Sequence, residues 1–279
     1  MISLLLLPLA AALLASISGG VIGSYVIVKR LANMCGSITH SILGGMGFFL
    51  WLQKAKGISW CDPLIGAFLA SIVSALLIGW IQLRFRERVD AVIAAVWSTG
   101  MAIGVIFLAL TPGSTGDLSN FLLGNLLWIT PRDLAFLFGL NLLILLVVSC
   151  YYRAFLLISF DEDQALLQRI PVQKITFLLL TLIALAIVLF IQMIGTILTI
   201  ALLTLPATTA NLFVQRLRPL MVGAILCNAL VSSLGIGLSY LFDFPPGATI
   251  SLCAALLYFA ALIVKKKKIF LPHPSPLND

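Results

Sequence analysis

The chain has 279 residues, 61% of them hydrophobic and 10% charged, with a formal net charge of +7 and a mean hydropathy of +1.15. A soluble domain carries about 25% charged residues, so this composition excludes a water-covered globule. Repeated apolar runs of about twenty residues exclude a barrel, whose strands are about ten residues long and alternate, and predict an all-α polytopic bundle.

The first apolar run predicts a span over 4–28. It is longer than the apolar core of a signal peptide and no basic residue precedes it, so it is expected to remain as a span. Ser16, Gly19, Gly20 and Gly23 form a small-residue stripe suited to close helix packing. Lys29 and Arg30 end it. The second span, 31–53, is roughly 34 Å long, enough to cross a bilayer. A third span over 64–83 ends in the basic cluster RFRER (84–88), and a fourth covers 89–110 with Ser98, Gly100 and Gly104 inside it. The polar connection 111–133 leads to a fifth span, 134–152. The next loop, 153–174, contains SFDEDQ, where Ser159 and Glu162 have capping-box spacing and predict a short helix. A sixth span over 175–192, a tight turn at 193–195 and a seventh span over 196–205 follow. A short helix between Pro206 and Pro219 is expected next. The eighth and ninth spans cover 220–241 and 248–264. The single membrane domain is thus expected over 1–264, followed by a basic, proline-rich tail over 265–279.

The basic residues test this layout. Fourteen of the seventeen fall on one side of it, and Lys54, Lys56 and Arg132 fall on the other. The positive-inside rule then places the N-terminus outside and the C-terminus in the cytoplasm. The positive charge therefore sets topology and does not indicate nucleic acid. Both flanks of the sixth and seventh spans are cytoplasmic, which requires an even number of crossings. Two full spans or a re-entrant pair satisfy it. The five cysteines form no CxxC pair, and a disulfide framework is not expected.

Within the second span one ionisable side chain, His40, lies near mid-depth. Gly36, His40, Gly44 and Gly47 follow at offsets of four, four and three, so they share one helical face. An intramembrane histidine is a candidate functional residue. Its imidazole suits zinc, manganese or iron, or proton transfer. The alternative is a packing histidine bonded to a neighbouring helix. All ten acidic residues lie in loops or at span ends, which argues against a relay of paired acids. Met34, Cys35 and Met46 lie at poor offsets from the histidine to share its face. The chain has no phosphate loop, HExxH or GxSxG, so no catalytic site is expected. A large capture domain or ATPase must belong to another chain.

Taken together, GGVIGSYVIVKRL leading into GSITHSILGG, STGMAIGVIF, LLGNLLWI, SFDEDQALLQRI, IGTILTIALLTLPATTANLF and SYLFDFPPGATISL resemble the membrane permeases of ABC importers for zinc, manganese and iron. The likeness runs end to end. It implies a type II ABC importer-like permease in the bacterial inner membrane, working as a homodimer. Partner ATPase subunits in the cytoplasm would drive it, and an extracytoplasmic metal-binding protein would deliver the ion. No cofactor would be held permanently. The resemblance makes His40 the metal-path histidine. It makes Pro206, Ala207, Thr208, Thr209, Ala210, Asn211, Arg216 and Arg218 part of the element gripped by the ATPase. Many members carry an aspartate four residues before the histidine, where this chain has Gly36. An autonomous secondary carrier is disfavoured, because His40 is the lone intramembrane coupling group. A membrane scaffold with a structural histidine is the other alternative.

Overall fold

The structure is a computed structural model that describes residues 2–58, 60–84, 89–112 and 129–270. The RFRER cluster beyond Arg84, most of the 111–133 connection with LLGNLLW, and the tail from 271 lie outside these residues. The helices are α1 (Ile2–Val28), α2 (Ala32–Lys56), α3 (Pro63–Arg84), α4 (Val89–Ala109), α5 (Pro131–Phe160), α6 (Glu162–Leu167), α7 (Val172–Asn211), α8 (Leu217–Phe242) and α9 (Pro246–Phe270). No strand occurs among the described residues. Among the described residues, nine segments are long and apolar enough to cross a membrane, α7 supplying two of them.

Local chemistry sets the ends of these helices. Gly57 closes α2 in the left-handed conformation at φ 69°, with its N–H bonded to the Leu52 carbonyl. Pro131 starts α5 behind a reciprocal cap between Thr130 and Asp133. At α6 the expected cap at Ser159 is corrected. Asp161 accepts from the Gln164 N–H at 2.9 Å, while the Ser159 hydroxyl donates to the Phe155 carbonyl. α5 runs on through Ser159, so that hydroxyl is spent inside a helix and the next carboxylate caps instead. α9 also continues past 264 to Phe270, carrying the start of the expected tail as helix.

The expected separate helix between Pro206 and Pro219 is absent as such. Pro206 lies inside α7, and Pro219 lies in the first turn of α8, which begins at Leu217. There its missing N–H costs nothing, because first-turn N–H groups have no partner within the helix. Residues 212–216 merely join the two helices.

A straight α7 would be roughly 60 Å long, twice the hydrocarbon core. It breaks at Gly195, where φ is 81° and ψ is 167°. Phe190 and Leu202 both border Gly19 of α1. In a continuous helix residues twelve apart would be separated by roughly 18 Å, so the chain reverses at Gly195. The start of α7 lies with Arg84 and Glu162 around one cavity, and Ala207, near its end, lies beside Gly23 of α1. Both ends therefore lie on the face that carries Lys29. Both arms are mostly buried, which keeps the broken backbone away from lipid. The Thr199 hydroxyl donates to the Gly195 carbonyl at 2.7 Å.

Lys29 ties that face together. Its ammonium donates to the Ile158 carbonyl at 2.8 Å and pairs with Glu162 at 3.0 Å. Small residues bring α1 against its neighbours. A Cβ on Gly20 would stand 2.5 Å from Ile225 of α8, and one on Gly23 would strike the Leu203 carbonyl of α7.

The backbone at Gly195 occupies a region essentially restricted to glycine. Gly195→Ala is expected to cost about 1–3 kcal/mol and lower the thermal midpoint in detergent. Gly57→Ala, at an ordinary left-handed cap, is expected to cost about 1 kcal/mol. Equal midpoints for wild type and Gly195→Ala would rule out a strained break.

Candidate functional site: the His40 face of α2 and α4

α2 and α4 run parallel and share the most extensive helix contact among the described residues. Their register is constant. The Ser37 hydroxyl donates to the Ile93 carbonyl at 2.8 Å. A Cβ on Gly44 would lie 2.8 Å from the Gly100 carbonyl oxygen, and one on Gly47 would lie 2.8 Å from that of Gly104. Each pair is 56 or 57 residues apart, so the two helix faces stay matched over three turns. Only residues without a side chain allow this approach.

That register sets His40 against Trp97. The rings are near parallel, 4.5 Å between centroids and 5° between planes. The indole N–H donates to the Met101 sulfur at 3.0 Å. His40 is half-buried, and Trp97 is 41% exposed. The pair thus opens on the outer face of α4, where Ala94, Ala95, Ser98 and Ala102 are also exposed. The hydroxyls of Ser98 and Thr99 on this helix bond its own backbone carbonyls.

The expected close-packing role of Gly36 is corrected. Gly36 is buried, yet a Cβ built on it would meet no atom within 4 Å. Gly44 and Gly47 close the α2–α4 seam, while beside Gly36, one turn before His40, no described atom of another element stands within 4 Å of the Cβ position. Met34 and Cys35 are buried in the core, and Met46 packs partly buried against it. No group of three or more His, Cys, Asp or Glu side chains that could hold a metal occurs among the described residues.

The 206–218 segment divides by exposure. Ala207, Thr209 and Ala210 are buried, because the helix passes through Pro206 and turns them into the bundle. Thr208 is half-buried. Asn211 and Arg216 are exposed, and Arg218 lies over the Tyr152 ring at 4.8 Å.

Residues 1–265 match the family model described as the ABC 3 transport family. The chain belongs to this family. It is 46% identical over 278 residues to a Chlamydia pneumoniae protein named "Probable metal transport system membrane protein", covering 99% of this chain and 94% of that one. It is 32% identical over 260 residues to the manganese transport system membrane protein MntC of Halalkalibacterium halodurans, covering 93% and 87%. The structure of PsaBC from Streptococcus pneumoniae in complex with Fab superposes with a TM-score of 0.82 at 29% identity, covering 96% and 94%. The chain is thus a multi-pass permease of the metal-import ABC family, as its motifs led us to expect.

Trp97 escaped the sequence reading. It stands one residue before the STGMAIGVIF motif. Its signal is the offset of 57 from His40, which becomes visible only after Gly44 and Gly47 are aligned with Gly100 and Gly104. The seam and the open site separate sterically. Gly44→Val is expected to destabilise the chain by about 1–3 kcal/mol through overpacking, whereas Gly36→Val is expected to leave the thermal midpoint near wild type. Midpoints lowered equally would contradict the open space beside Gly36.

Proposed function

We propose that two copies of this chain form the membrane path of an ATP-driven importer for a divalent transition-metal ion. Manganese is the favoured cargo, since relatives similar over nine-tenths of this chain, MntC of Halalkalibacterium halodurans among them, are named for manganese transport. One observation carries the proposal: a half-buried imidazole at mid-depth lies on an outward face of small residues. Within one chain no cluster of three or more His, Cys, Asp or Glu side chains surrounds His40 among the described residues. A second copy seated on the α4 face would bring a second imidazole and enclose the ion between chains.

Neutral imidazole is a moderate ligand for such ions. Held by Trp97, it would keep its nitrogens turned to the path. A site of few ligands binds a dication weakly, and a path must release as well as bind. The small residues along α1 would let neighbouring helices shift between outward- and inward-open states, while α2 and α4 would move as one unit. The chain would perform no hydrolysis itself. ATPase subunits would bear on the basic face at Asn211, Arg216 and Arg218, while Pro206, Ala207, Thr208, Thr209 and Ala210 would carry the displacement into the bundle along the second arm of α7. An extracytoplasmic binding protein would load the ion from the opposite face. The basic side would be cytoplasmic, with the N-terminus outside. The membrane domain would cover 1–264, and the tail would start at 265.

Vesicles holding the permease, its ATPase and its binding protein provide the test. Manganese, zinc and ferrous iron are offered with ATP. Uptake of manganese is expected in wild type, with a loss of about tenfold or more in His40→Ala, corresponding to at least ~1.4 kcal/mol, while ATP hydrolysis persists. Equal uptake by the two proteins would reduce His40 to a packing residue. ATP hydrolysis with no metal uptake would overturn the cargo.

A carboxylate beside His40 supplies a separate check. Gly36→Asp places its Cβ free of close contacts and would add an oxygen ligand one turn from the imidazole. Manganese affinity, read from the free-ion spectrum by electron paramagnetic resonance, is expected to rise about tenfold, again ~1.4 kcal/mol, with slower turnover. Unchanged affinity would remove the ion from this part of α2.

A further inference from the structure

A groove of about 450 Å³ opens on the basic face between the end of α7, the start of α8 and the last turns of α9. Thr209, Phe213, Gly223, Leu257, Ala261 and Val264 form its walls. It is almost wholly apolar. Phe213 and Val264 are about half exposed, so the groove is accessible. Leu257, Ala261 and Val264 recur at helical spacing, which makes one side of the groove a single apolar stripe of α9. Lys265 stands one turn beyond Ala261 and begins the run KKKK. Lys265 is half-buried and Lys266 exposed.

The charge at this mouth has one sign. Arg216 lies two residues beyond Val214, which also lines the groove. From 206 to 270 the sequence contains one acidic residue, Asp243, which caps the far end of α8. The acidic α6 contacts α5 and α7, and it has no substantial contact with α8 or α9. The lysines therefore have no acidic neighbour on the elements that form the groove. An apolar cleft entered from the membrane, with a lysine cluster at its headgroup-level end, has the chemistry of an anionic lipid site. The acyl chain would replace side-chain packing in the cleft, and the phosphate would neutralise the lysines.

We propose that this groove binds an anionic phospholipid, with an acyl chain against Phe213 and Ala261 and the phosphate at Lys265 and Lys266. One wall of the groove, 209–214, runs from the last turn of α7 into the joint with α8, so an occupied groove braces that joint. The inference rests on the membrane placement of the chain and is independent of its cargo.

The full chain in phosphatidylcholine vesicles is doped with photo-crosslinkable phosphatidylglycerol, or with phosphatidylcholine carrying the same reactive acyl chain. Cross-linked peptides are then mapped by mass spectrometry. Phosphatidylglycerol is expected to label 209–214 and 257–264 about fivefold more than phosphatidylcholine. That preference should vanish in Lys265→Gln/Lys266→Gln, and labelling by both lipids should fall in Ala261→Phe, which fills the cleft. Thermal midpoints near wild type establish that both variants are folded. Should Ala261→Phe fail to fold, the lysine variant alone decides. Equal labelling by the two lipids in wild type would overturn the headgroup assignment. Absence of lipid labels at 209–214 and 257–264 would overturn the lipid site. Because the readout is lipid attachment, its failure is distinct from a failure of metal uptake.

Discussion

The contact on which this bundle turns is the backbone approach of α2 to α4. Helices in lipid gain little from hydrophobic burial against each other, since the alternative neighbour is also apolar. Dispersion and weak Cα–H···O contacts remain, and both require close approach. Gly44 against Gly100 and Gly47 against Gly104 allow it. The hydrogen bond from Ser37 to Ile93 prevents a register slip at the other end. Once that register is set, His40 has little choice of neighbour. The stack with Trp97 follows from the seam.

The second constraint is the reversal in α7. A forty-residue helix can be kept inside a bilayer only by turning back or projecting far into water. Gly195 provides the turn, and the surrounding helices shield it. The carbonyl that Pro206 cannot bond, that of Leu202, lies against Gly19 of α1. The second arm is therefore packed on α1 at Gly19 and Gly23 and emerges beside Lys29. Displacement of the 212–216 joint would be felt along this arm. Flexible surface connections would not transmit it as well, because packed helices move as units.

Legibility in the sequence followed the range of the interaction. Spans, basic flanks and glycine faces have periods of a few residues, so they could be read directly. The turn at Gly195 was also visible, because glycine interrupts an apolar run there. Pro206 misled in the opposite direction. Proline marks a break in most helices, yet here the helix continues, its lost bond tolerated within a packed bundle. Ser159 misled because its hydroxyl had a competing partner within α5. Trp97 could not be read because its relation to His40 depends on pairing two helices, and no single-helix period contains that offset.

The open space beside Gly36 gives α2 two different functions along one face. Toward Gly44 and Gly47 the missing side chains are filled by another backbone. Toward Gly36 the missing side chain is filled by nothing within 4 Å. A glycine retained only for packing would show the first arrangement throughout. The second arrangement leaves the turn before His40 loosely packed while Trp97 stacks on the ring. In the proposed path, few ligands would favour transient coordination over storage, since each added ligand deepens the well that a moving ion must leave. The same α2 face can therefore be rigid where it meets α4 and permissive one turn away.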